Sequence, residues 1–313
     1  MMKVNRAKTR PKLRKSPKPP RGRGYNFFRF GFFILLALLV GGIYATYDYW
    51  VLRMLISQHY VFEEDLDRLY IEALGEDNFR SHFRDFDRMM AAVLTREIRN
   101  INQDRFTYLY NPGQFMAARQ QERQIAQTVR FEALTDNIVY LALPNIHSYA
   151  RRFVWQNREE LAQFSYLILD LRGNFGGMLR DFHQIADLFV APDATIAYER
   201  TRWSLFTRTI RGNGDPYFNF DKLLILQNAA TASAAEGLVL ALRENVPNIT
   251  TIGTTTFGKA IGQVSIPMRG GSAVRATVLV LEGPAGEWIH NIGIEPDIEY
   301  EGDALAMALA LLQ

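Results

Sequence analysis

Residues Phe30 to Tyr47 form a run of 18 without a charged side chain, bounded by Arg29 and Asp48. A helix over this run is roughly 27 Å long at about 1.5 Å per residue, close to the thickness of a bilayer's hydrocarbon core. Aromatic residues gather at both ends: Tyr25, Phe27 and Phe28 ahead, and Tyr44, Tyr47, Tyr49 and Trp50 behind. Such rings settle at membrane–water boundaries. The run therefore predicts a transmembrane helix, which fixes what either side of it must do.

Charge gives the orientation. The first 24 residues hold ten of the chain's 36 Lys and Arg and no acidic residue, so the rest, with 26 basic against 33 acidic side chains, carries about −7. The sequence pI of 9.0 thus describes the tail and not the body. Positive residues stay inside, which puts the tail in the cytoplasm and everything after Asp48 outside. A cleaved signal peptide fits less well, because no A-x-A-like site follows and the basic part is too long. A nucleic-acid arm is the other reading of a basic tail. Beside a membrane span, the tail is more simply a topology signal and a contact for anionic lipid. The expected layout is a basic cytoplasmic tail over 1–29, a transmembrane signal anchor over 30–50, a helical segment over 51–127 and a main domain over 128–313, at the cell membrane with that domain extracytoplasmic. Membrane lipid is an expected partner and nucleic acid is not.

The chain contains no cysteine, which removes disulfides, thiol nucleophiles and thiolate metal sites together. The five histidines, His59, His82, His147, His183 and His290, stand in no H-E-x-x-H or G-x-S-x-G context. Zinc hydrolysis and a Ser-His triad lack support on that pattern. No metal or other cofactor is expected.

Residues 62–75 and 81–99 place apolar side chains at helical spacing between charges, and a further helix is predicted from Gln114 to about Gln127. After Thr128 the pattern changes. VRFEAL, a TDN turn and IVYLALP predict a β-hairpin. YLILD (166–170) and KLLILQ (222–227) are short continuous apolar runs, as in strands buried on both faces. Helices are expected over about 149–163 and 179–190, after Ser233, and over about 303–312, with NITTIG, GQVSIPM and AVRATVLVL as further strands. Alternating strands and helices with a β-rich end predict a layered α/β core.

The stretch GTTTFGKA (253–260) nearly spells a phosphate-binding loop, but Ala260 stands where a hydroxyl residue is needed. The sequence that follows, AIGQVSIPM, has no helical period, so the phosphate reading fails on context. In an extended strand Lys259 and Gln263 share a face. Ser233-Ala-Ala-Glu236 opens a helix directly after a buried strand, where open α/β sheets place ligands and a helix N-terminus favours a developing anion. The same S-x-x-E is a helix capping box, so Ser233 is also readable as a plain cap. In RGNFGG (172–177), Gly176 and Gly177 either turn the chain or bare N–H groups toward an oxyanion, with the amide of Ala234 as second donor.

Six segments in order resemble the C-terminal processing peptidases, also called tail-specific proteases: DRFTYLYNPGQF (104–115), NIVYLALP (137–144), LILDLRGNFGG (167–177), LLILQNAATASAAEGL (223–238), TIGTTTFGKAIGQ (251–263) and GIEPDI (293–298). The resemblance implies a crotonase-like ββα-spiral peptidase core, here preceded by the transmembrane helix and helical segment. It implies Ser233 as nucleophile, Lys259 as general base, Gln263 as the residue orienting that base, and Gly176 or Gly177 with Ala234 as the oxyanion hole. The implied function is a membrane-anchored serine endopeptidase acting on extracytoplasmic proteins or peptides. The alternative is an inactive membrane-anchored binding or scaffold protein that keeps the fold. Three departures stand out: Ala260 replaces a usual glycine, Ala235 a usual small hydroxyl residue, and only 21 residues, Met116 to Asp136, fill the interval where relatives carry a PDZ domain. A homodimer or an adaptor protein is a further expected partner, and the helices over 62–75 and 81–99 are readable as a spacer or dimer contact.

Overall fold

A computed structural model describes residues 23–62, 86, 88–125 and 129–313. Most of the helix expected over 62–75 and the start of that over 81–99 lie outside those residues. The elements run α1 (Arg23–Met54), a π-helical turn (Leu55–His59), α2 (Arg88–Ile101), β1 (Tyr108–Tyr110), α3 (Pro112–Ile125), β2 (Arg130–Ala133), β3 (Ile138–Ala142), α4 (Ser148–Gln156), α5 (Arg158–Leu161), β4 (Tyr166–Asp170), α6 (Leu179–Ala186), β5 (Thr195–Thr201), β6 (Arg208–Arg211), β7 (Lys222–Gln227), α7 (Ala234–Asn245), β8 (Ile249–Gly253), β9 (Ile261–Pro267), β10 (Ala273–Glu282), β11 (Ile298–Glu299) and α8 (Ala304–Ala310). The chain divides into two units, Met1–Thr46 and Tyr47–Gln313.

In the first unit the described residues are the apolar part of α1, whose side chains from Phe30 to Tyr44 are mostly exposed. Among the described residues this is the one helix long and apolar enough to cross a membrane, with a mean hydropathy of 2.0.

In the second unit, six strands form a sheet in the order β11-β8-β7-β4-β3-β2. All neighbours are parallel except the β2–β3 hairpin. Period two explains why its central strands are so apolar. Leu141, Leu167, Leu169, Leu223 and Ile225 face a core shared with α4, α6 and α7. Ile138, Tyr140, Ile168, Leu224 and Leu226 alternate with them and face a second core closed by α8. A strand covered on both faces has no use for polar alternation. Helix α8 starts where Asp303 caps it, its carboxylate accepting the N–H groups of Leu305 and Ala306 at 3.1 and 3.2 Å.

The second sheet is antiparallel, in the order β1-β10-β5-β6, with β9 also paired to β10. Against it lies a third core: Tyr49, Leu52, Leu55, Ile56 and Tyr60 with Leu94 and Ile98 of α2 and Val274 and Ala276 of β10. Tyr49, expected among the boundary aromatics, is thus buried in protein, at 4% exposure. Asp48 pins the same stretch, accepting the Arg269 N–H at 2.8 Å and its Nε at 3.2 Å. The strand β1 falls in DRFTYLY, which was expected to carry a motif but no strand.

Candidate active site

The carboxyl ends of β4 and β7 bring two loops together. Thr231 Oγ1 donates to the Leu171 carbonyl at 2.8 Å, the Ala232 N–H to the Asn174 carbonyl at 2.8 Å, and the Gly173 N–H to Asn228 Oδ1 at 3.1 Å. Asn174 is fully buried and organises the glycine loop: its Nδ2 donates to the Leu143 carbonyl at 2.7 Å and its Oδ1 accepts the Gly176 N–H at 2.8 Å. A Cβ on Gly176, whose φ is +94°, falls 2.8 Å from Ser233 Cβ and 2.6 Å from the Ala232 carbonyl oxygen. One on Gly177 falls 1.9 Å from the Ile146 carbonyl oxygen. Both positions need glycine, Gly176 because it lies against Ser233 and Gly177 because it lies against the strand-like Ile146 segment.

Ser233 stands at the turn between β7 and α7 with φ 58° and ψ −120°. A side-chain-bearing residue pays strain there, and such outliers cluster at functional sites. The turn from strand to helix is sharp, and it holds Ser233 at the carboxyl end of β7. The glutamate of the expected capping box does reach back, Glu236 accepting the Ser233 N–H at 2.8 Å. It does much more. The same buried carboxylate accepts Thr256 Oγ1 at 2.5 Å, the Gly258 N–H at 2.6 Å and the Lys259 N–H at 2.8 Å. One anion therefore clamps the serine turn to the lysine loop through their backbones.

Lys259 precedes β9 in an irregular stretch, so the shared strand face expected for Lys259 and Gln263 does not arise in the way proposed from spacing. What they share is Phe106. The Lys259 amine lies over the Phe106 ring, 5.1 Å from its centroid. Gln263 Nε2 donates to the Phe106 carbonyl. Ser233 and Lys259 line one pocket with Ala197, Leu240, Leu281 and Ile289. Among the described residues no hydrogen bond joins the Ser233 hydroxyl to the Lys259 amine. Catalytic contacts often close only around bound substrate. Burial pushes the Lys259 amine down to about 8, helped by Arg275 and Arg105 and opposed by Glu236 and Asp104. A lysine near 8 has an accessible neutral form near neutral pH.

Of the histidines, His290 packs against Phe106 at 5.8 Å and Trp288 at 5.2 Å, and burial lowers its pKa. His183 lies 3.4 Å from buried Glu199 and does not line that pocket. Among the described residues no group of side chains could hold a metal ion.

The model of peptidase family S41 matches residues 137–300. The chain belongs to this family. Among curated relatives, the carboxyl-terminal-processing protease of Synechocystis sp. is 36% identical over 141 residues, 45% of this chain and 32% of that protein. The carboxy-terminal processing protease CtpB of Bacillus subtilis is 31% identical over 172 residues, 52% of this chain and 34% of that protein. The chain thus spans about a third of the length of the curated relatives it matches. Among solved structures, the photosystem II D1 C-terminal processing protease superposes with a TM-score of 0.60 at 18% identity, covering 83% of this chain and 93% of that one. A lipoprotein from Streptococcus agalactiae gives 0.61 at 16% identity, covering 86% and 96%. These likenesses show the mixed α/β fold of S41 peptidases.

Sequence reasoning passed over three residues that shape this candidate site. Asn174 carried no expected role. Glu236 looked like a cap alone. Phe106 carried no expected role, although Asp-Arg-Phe-Thr has the form of an Asx turn that fixes the residue two places on.

Proposed function

We propose that this S41 chain is a membrane-anchored serine endopeptidase of the C-terminal processing type, acting on proteins outside the cytoplasm. The observation that carries this reading is a strained serine sharing a pocket with a lysine whose amine is shifted down to about 8. Neutral Lys259 accepts the Ser233 proton as Oγ bonds to the scissile carbonyl carbon. The oxyanion is met by backbone N–H groups of Ala234 and Gly177. Gly177 is favoured over Gly176 because Asn174 Oδ1 already takes the Gly176 N–H. The Lys259 ammonium returns the proton to the leaving amine as the C–N bond breaks; water, deprotonated by the same amine, then attacks the acyl carbon, and the ammonium protonates Ser233 Oγ as its bond to that carbon breaks. Gln263, held by Phe106, orients the base.

The expected layout goes with this reading: tail over 1–29, anchor over 30–50, helical segment over 51–127, peptidase core over 128–313 with a crotonase-like spiral, and protein or peptide substrates. Its support is the apolar α1, the basic tail and the S41 match. A fluorophosphonate probe tests the chemistry on the full chain in detergent. Labelling at Ser233 that is lost in Ser233→Ala and Lys259→Ala is expected. Full peptidase activity in purified Ser233→Ala protein sinks the proposal. Comparative proteomics of cells carrying wild-type and Ser233→Ala protein identifies the substrates.

A further inference from the structure

Phe106 lies outside the matched family region and 157 residues from Gln263, yet both polar partners of the lysine loop converge on it. Its ring carries the Lys259 amine and its carbonyl takes the Gln263 amide. The residue is itself fixed. Asp104 Oδ1 accepts the Phe106 N–H at 3.0 Å, while Asp104 Oδ2 accepts the hydroxyls of Thr107 at 2.6 Å and Tyr60 at 2.9 Å. Asp104 and Thr107 are buried, and Tyr60 is fully buried. The Phe257 ring at 6.4 Å and the His290 ring at 5.8 Å edge the Phe106 ring, with the Arg105 guanidinium 4.9 Å from its centroid. A side chain pinned this tightly beside an amine controls both where that amine lies and how much water reaches it.

We propose that Phe106 is a positioning residue for Lys259: its ring seats and dries the amine, its carbonyl fixes Gln263, and the Tyr60–Asp104–Thr107 knot holds it in place. This rests on the reading of Lys259 as base and adds how that base is kept ready. The charged and titratable groups that act on the amine are Arg275 from β10, Glu236 from α7, Asp104 and Arg105 from the segment before β1, and His290. Opening the ring's place to water restores hydration of the ammonium, so the amine titrates higher.

Only two lysines lie beyond residue 24, Lys222 and Lys259, so the latter is readable directly. The test is an NMR titration of lysine carbon-13 at Cε in the full chain in detergent micelles, for wild type and for Phe106→Ala, Phe106→Leu and Phe106→Tyr. The Lys259 midpoint is expected to rise by about two pH units in Phe106→Ala, by less in Phe106→Leu, and to stay near wild type in Phe106→Tyr. The leucine variant keeps an apolar side chain and serves if the alanine variant does not fold. Cleavage of fluorescein-labelled casein should follow the same midpoint. Phe106→Ala falls about 100-fold below wild type near pH 7 and recovers to within about threefold near pH 10, as a shift of two units requires. A loss of stability alone lowers the rate by one factor at every pH. Unmoved midpoints in both the alanine and leucine variants overturn the inference and leave the peptidase reading standing. Wild-type protein whose casein cleavage is unchanged by Ser233→Ala overturns the peptidase reading, while the titration still decides whether Phe106 seats the amine.

Discussion

The serine turn and the lysine loop meet in one pocket but are built in opposite ways. Ser233 is set by its neighbours in sequence: a buried strand before it, a helix after it, and a carboxylate three residues on. Lys259 is set by residues from across the chain: Glu236 from α7 at its backbone and Phe106, held by Asp104, at its amine. Local chemistry fixes the serine, and tertiary packing fixes the lysine. A site of this kind is robust at one half and adjustable at the other.

The largest test of that contrast removes each half in turn. Ser233→Ala and Lys259→Ala should each lower kcat by about 1000-fold or more, measured on casein, with unchanged circular dichroism. A modest loss in either breaks the pairing. Next comes the clamp between the halves. Glu236→Ala leaves four donors, three of them buried, without their acceptor. It should cost about 3 kcal/mol or more in urea unfolding. A loss of activity without that loss of stability would show that the carboxylate acts in chemistry and not as a clamp.

Gly176→Ala attacks the local half alone. The added carbon falls 2.6 Å from the Ala232 carbonyl oxygen and 2.8 Å from Ser233 Cβ. A displaced nucleophile should lower kcat about 100-fold with KM little changed. The smallest effect belongs to the distant half and has the opposite sign. The folded-state pKa of Lys259, about 8, lies below the unfolded value of 10.5. Its contribution to stability is therefore full above about 10.5 and is lost as pH falls through about 8. Lys259→Met removes that loss. The variant should be more stable than wild type by about 2 kcal/mol near pH 7, with the gain vanishing as pH rises toward about 10.5. Equal stability at both pH values would mean the amine is not desolvated.

The same contrast explains what was legible before any coordinates. YLILD and KLLILQ announced strands covered on both faces because continuous apolar runs have few other uses. The two loops at their ends followed from parallel topology, and Ser233 from the strand-to-helix junction. Among the described residues, the helices over 179–190 and 303–312 came out shorter, Leu179–Ala186 and Ala304–Ala310, because helix ends fray and periodicity does not mark them. The seat of Lys259 was not legible. A strand-face argument placed it with Gln263, whereas Gly258, with φ +79°, turns the chain just before it and β9 starts only at Ile261. No pattern within ten residues says that an aromatic ring some 150 positions earlier will lie under the amine. Glu236 shows the limit differently: its motif had an ordinary meaning that was correct and incomplete.

Helix α1 runs on past the apolar stretch, and its last turns are part of the folded body. Tyr49, Leu52, Leu55 and Ile56 are core residues, and the Tyr60 hydroxyl reaches Asp104 beneath Phe106. A cut ahead of Tyr47 therefore leaves this core whole. A cut after Tyr60 strips one wall of that core and, in the same stroke, the hydroxyl that holds Asp104 beneath Phe106.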